Sequence, residues 1–143
     1  MTQFKRILVP VDGSDSAERA IDQAIYLAEI CEAKLHFIYV ANINQLAINA
    51  CLSDAILEAV TKAGNVILDR ALEKVPSNLK AEGISETGSP AAVILDFATS
   101  ENIDLIVMGS RGLGVVKGVL LGSVSQHLVE QAKCPVMVVK ISI

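Results

Sequence analysis

The chain has 143 residues, 52% of them hydrophobic and 20% charged, with a formal net charge of −4. That length and apolar share predict one soluble globular domain with a full core, and they exclude a disordered chain. The negative balance argues against a general nucleic-acid binder, and no apolar run reaches membrane-spanning length.

The N-terminus passes directly into a predicted strand, with no signal-peptide pattern. Cys31, Cys51 and Cys134 are far apart and lack metal-ligand or C-x-x-C spacing, so reduced thiols in the cytoplasm are expected. The first strand lies within Phe4 to Val11, where R-I-L-V-P-V suits a strand buried on both faces and Pro10 suits its C-terminal end. D-G-S-D-S then turns the chain, and the Asp15–Glu18 spacing predicts a capping box with Asp15 as N-cap. Ala17, Ala20, Ile21, Ala24, Ala28 and Cys31 recur at helical spacing to about Glu32.

Lys34 to Val40 forms the second predicted strand, and its His36 is assigned no catalytic role. Residues 41–52 show no clear period. Ser53-Asp54 opens a second helix running to Val75, stopped by Pro76, with Ile56, Val60, Ile67, Ala71 and Val75 as its buried stripe. Lys80 to Thr87 is polar enough to be an edge strand. Ser89 caps a third helix, with Pro90 in its first position, that reaches Ser100.

Leu105 to Met108 is the fourth strand, followed by a glycine-punctuated loop. Ser123 and Gln126 have capping-box spacing, so a fourth helix starts there and runs to about Ala132. Cys134-Pro135 breaks it, and Val136 to Lys140 is the last strand. This βαβαβαβαβ alternation predicts five parallel strands covered on both faces by four helices. Strand order does not follow from periodicity. Ligands in such folds sit beyond the carboxyl ends of strands, where the order reverses.

A strand, a glycine loop and a helix N-terminus together form an arrangement that holds phosphate. The first amides of a helix lack intrahelical partners, and glycine lets backbone approach an anion closely. Ser123 and Ser125 add hydroxyls to this stretch, and Arg111 and Lys117 add positive charge. Three turn-rich segments lie at carboxyl ends of strands, Asp12-Gly13-Ser14, Gly88-Ser89 and Gly109 onward, and the parallel topology brings them to one edge. Asp12 is their only carboxylate, without a paired carboxylate or histidine, so the pattern favours binding over turnover. Slow hydrolysis of a bound nucleotide is the alternative. A phosphoacceptor receiver domain would need an acidic cluster at neighbouring strand ends that this chain lacks.

Gly109, two residues, Gly112, nine residues, then Gly122-Ser123 resembles the Gly-2x-Gly-9x-Gly-Ser/Thr motif of the ATP-binding branch of the universal stress protein family. I-L-V-P-V-D-G-S, the Gly88-x-Pro90 turn, D-L-I-V-M-G-S-R-G, G-S-V-S and C-P-V-M-V-V extend that resemblance over nearly the whole chain. It implies a Rossmann-like three-layer α/β sandwich with strand order 3-2-1-4-5, a homodimer and an adenine nucleotide ligand: ATP, or AMP or ADP. It implies that Pro10, Val11 and Asp12 flank the adenosine, with Asp12 near the ribose. Val40 would line the adenine slot, and Met108 and Gly109 would border the ribose. Arg111, Gly112, Gly122, Ser123, Val124 and Ser125 would hold phosphates. Mg2+ or Mn2+ would ride on the phosphates without dedicated protein ligands. The apolar last strand, V-M-V-V-K, is the expected dimer edge. A dimeric stress-response regulator or sensor with little or no catalysis follows as the expected function.

Overall fold

The computed structural model describes residues 3–42, 54–110 and 121–140. Nine elements alternate along them: β1 (Arg6–Pro10), α1 (Asp15–Cys31), β2 (Lys34–Asn42), α2 (Asp54–Glu73), β3 (Ala81–Gly88), α3 (Pro90–Ser100), β4 (Leu105–Gly109), α4 (Ser123–Gln131) and β5 (Val136–Val139). The five strands form one sheet in the order β3-β2-β1-β4-β5, and every pairing is parallel. This is the Rossmann-like α/β fold. The order reverses between β1 and β4, because the chain first steps outward through β2 to β3 and then returns past β1.

Successive residues on a strand face opposite sides of the sheet, which divides the core in two. Ile7, Val9, Leu35, Phe37, Leu105 and Val107 pack beneath Ala20, Ile21 and Ala24 of α1 and Leu68 and Ala71 of α2. Leu8, Ile38, Ile106 and Met108 pack on the other face against Ile94 and Ala98 of α3 and Leu128 of α4. β1 therefore reads as one uninterrupted apolar run because both of its faces are covered. Pro10 falls on its last residue, opposite Ile38, where the ladder is ending. β3 is an edge strand, as its polar sequence predicts.

Three local expectations are corrected. The N-cap of α1 is Ser14, not Asp15: its hydroxyl accepts from Ala17 N–H at 3.3 Å. Asp12 Oδ1 accepts from Ser14 N–H at 2.9 Å, and this turn places Ser14 in the capping position one residue early. The N-cap of α4 is Gly122, without a side-chain cap bond, and Ser123 is the first helical residue. On α2, Ile56 is 43% exposed rather than buried. The buried line is Gly64, Leu68 and Ala71. Gly64 lies against the Tyr39 ring, into which any Cβ would collide, so this helical glycine secures close packing. Val75 lies just past α2 and still packs on the core.

Candidate functional site

A cavity of about 340 Å³ opens at the carboxyl end of the sheet, where the strand order reverses. Each contributing segment arrives there for a local reason. β1 ends in Pro10, Val11 and Asp12, and Val11 N–H continues the ladder to Ile38 O at 2.9 Å before the chain turns. The turn is held by Asp12 and Ser14 through the hydrogen bonds that cap α1, and Gly13 takes φ +83°, a conformation costly for other residues. One Asp12 oxygen is thereby engaged, and the half-buried carboxylate retains acceptor capacity toward the cavity.

The apolar wall comes from three elements. Ile38 and Val40 project from one face of β2, Met108 ends β4, and Pro90 and Ile94 come from the start of α3. Gly109 borders the cavity beside Met108, yet its need for glycine comes from behind: a Cβ there would lie 2.7 Å from the Ser16 carbonyl carbon and 2.8 Å from Ala17 N. The first turn of α1 thus packs directly on the end of β4.

The polar wall is the start of α4, from Gly122 through Ser123 and Val124 to Ser125. Gly122 has φ −71° and ψ 167°, which any residue adopts, so backbone conformation does not require glycine there. No carboxylate occupies the first turn of α4, whereas Asp15 and Glu18 occupy that of α1. The positive end of α4 is therefore left uncompensated by its own side chains and available to an anion. The two serines differ. Ser123 is exposed, while Ser125 is buried with its hydroxyl 2.9 Å from Ser110 O and 3.0 Å from Gly122 O.

Pro10, Val11, Asp12, Val40, Met108, Gly109, Gly122, Ser123, Val124 and Ser125 thus line one cavity. Arg111, Gly112 and Lys117 lie outside the described residues. Ser14, Ala17, Ile38, Pro90 and Ile94 also line it and were not singled out from sequence. Ile38 shares the strand face of Val40 by the period of two, and Pro90 begins a helix at a strand's carboxyl end. Those two signals were present in the residues. Among the described residues no group of three His, Cys, Asp or Glu side chains could hold a metal ion, and no helix is long and apolar enough to cross a membrane.

An apolar slot, a carboxylate and an uncompensated helix N-terminus in one cleft suit a ligand with a flat apolar ring, hydroxyls and an anionic tail. Known proteins share this fold. The chain is 35% identical over 147 residues to the universal stress protein YxiE of Bacillus subtilis, covering 96% of this chain and 99% of that one. The solved structure of the hypothetical protein MJ0577 superposes with a TM-score of 0.90 over 99% of each chain, at 24% identity, a likeness of fold. A universal stress protein solved in complex with cAMP matches with a TM-score of 0.69 at 28% identity, covering 99% of this chain and 100% of the other. The model of the universal stress protein family matches residues 3–140, and this chain belongs to that family.

Proposed function

We propose that the cavity binds an adenine nucleotide, with ATP as the principal ligand and AMP or ADP as competitors, and that the protein is a dimeric stress-response regulator acting through that binding. The observation that carries this reading is the bare N-terminus of α4 standing beside the apolar slot of Ile38, Val40 and Met108. The base enters the slot, Asp12 accepts from the ribose hydroxyls, and the phosphates meet the amides of Ser123 and Val124. A relative at 28% identity solved with cAMP supports the adenine assignment. A divalent cation such as Mg2+ or Mn2+ accompanies the phosphates rather than a dedicated protein cage.

Binding is favoured over turnover by Asp12. It is the only carboxylate on the cavity wall among the described residues, and one of its oxygens already holds the Ser14 amide. Its remaining acceptor capacity is directed to the ribose hydroxyls, which leaves no carboxylate among the described residues to act as a general base at the phosphates. The homodimer reading rests on β5, which no described strand pairs on its outer side.

Calorimetric titration with ATP, AMP and cAMP tests the ligand. Gly122→Val fills the room before the α4 amides and is expected to weaken ATP more than tenfold, which is about 1.4 kcal/mol or more. Unchanged ATP affinity in that variant would remove the α4 terminus from the site.

A further inference from the structure

Ser125 lines the cavity, yet its hydrogen bonding fits poorly with a direct ligand contact. The residue is 2% exposed, and Oγ lies 2.9 Å from Ser110 O and 3.0 Å from Gly122 O. Both neighbours are carbonyls, which only accept. A hydroxyl has one proton to donate, and here that proton is committed to them. A phosphate oxygen is also an acceptor, so it would have to compete for the same proton.

Ser110 is equally buried, at 2% exposed. Its carbonyl accepts a second hydrogen bond, from Gly122 N–H at 2.6 Å, and its own N–H donates to Val139 O at 2.9 Å. One residue just past β4 is therefore tied to β5 through its N–H and to the start of α4 through its carbonyl. These bonds join the residue after β4 directly to the N-cap of α4.

We infer that Ser125 is a positioning residue: its hydroxyl pins the first turn of α4 to the Ser110 carbonyl and so aims the amides of Ser123 and Val124 into the cavity. The ligand half of this inference rests on the nucleotide reading above. The pinning half does not, since it concerns the protein without ligand. The side chain that faces the anion is then the exposed Ser123, and the buried Ser125 holds the frame.

The test is Ser125→Ala, with Ser125→Thr restoring a hydroxyl. In nucleotide-free protein, the Gly122 amide is expected to exchange with solvent about tenfold faster in Ser125→Ala, while the Ile7 and Val9 amides in β1 keep their wild-type protection. ATP affinity is expected to fall by about tenfold, the range for one lost hydrogen bond, while adenosine, which has no phosphate, binds as in wild type. Ser125→Thr should recover both. A loss of ATP affinity with unchanged Gly122 exchange would make Ser125 a direct phosphate donor and overturn the inference. Faster exchange with an unchanged ATP-to-adenosine ratio would overturn it too, because the pin would then serve no phosphate. A wild-type protein that binds no adenine nucleotide would sink the nucleotide reading and the ligand half here. Gly122 exchange would still decide whether the hydroxyl pins the helix.

Discussion

His36 and Glu82 meet across the β2–β3 pair, with Nδ1 of the imidazole 2.6 Å from Oε1 of the carboxylate. The His36 side chain is 3% exposed. Its ring stands edge-on to Phe97 of α3 at 5.9 Å, and its Nε2 has no hydrogen-bond partner among the described residues. The carboxylate accepts, so Nδ1 carries the proton. Glu82→Ala leaves both ring nitrogens unpaired in the core and is expected to cost about 1–3 kcal/mol in urea unfolding. His36→Phe removes both buried nitrogens and adds a second ring beside Phe97, so its cost should stay below about 1 kcal/mol. A Glu82→Ala protein as stable as wild type would show that this pair does not support the core.

Gly109 tests where a motif glycine is needed. A methyl group at this position meets Ser16 and the Ala17 amide of α1. Gly109→Ala should therefore destabilise the fold by about 1–3 kcal/mol through overpacking. Thermal unfolding of the ligand-free protein is the measurement. A variant that unfolds like wild type but fails to bind nucleotide would assign this glycine to the ligand and not to helix packing.

Lys74, just beyond α2, places its ammonium 2.9 Å from Glu18 Oε2 and 3.0 Å from Asp22 Oδ1, tying it to α1. The hydrogen bond to Glu18 raises its pKa above 10.5, burial opposes this, and the bond to Asp22 adds to it. A lysine held charged in the fold stabilises fully below its unfolded pKa, and the gain disappears as pH rises through the folded one. Because the three groups are about 40–60% exposed, Lys74→Met should cost below about 1 kcal/mol at neutral pH. The difference should shrink above pH 10.5 and in high salt. A gap between the two proteins that persists unchanged at pH 11.5 (about one unit past the ordinary lysine value) would refute the ion-pair origin.

The outer edge of β5 carries the dimer prediction. The carbonyls of Pro135 and Val139 accept from Ile106 and Ser110, so the N–H groups of Val136 and Val138, by alternation, face away from β4. The opposite edge, β3, bears Glu82 and Glu86, charges that disfavour strand pairing. Val138→Pro removes an outward N–H and leaves the β4 ladder in place. It should convert a dimer to monomer in analytical ultracentrifugation. A wild-type protein that sediments as a monomer, or a variant that remains dimeric, would move the interface elsewhere.

Local patterns in the chain reach as far as the elements and their ends. The buried run of β1, the polar β3 and the Ser89-Pro90 start of α3 depend on residues a few positions apart, so periodicity and turn chemistry expose them. The caps fall at Ser14 and Gly122, one residue before the expected positions, because D-G-S-D and G-S-V-S each offer adjacent candidates. Hydrogen bonds in the folded chain choose between them. Strand order came from family resemblance, since the direction of a crossover leaves no mark on periodicity. The loops that reach the cavity were visible because a parallel sheet delivers them all to one end. Ile94, the packing of Gly109 on Ser16 and the different surroundings of Ser123 and Ser125 were not visible. Each depends on groups far apart in the chain meeting at one distance and angle, and only the packing of helices on the twisted sheet sets those.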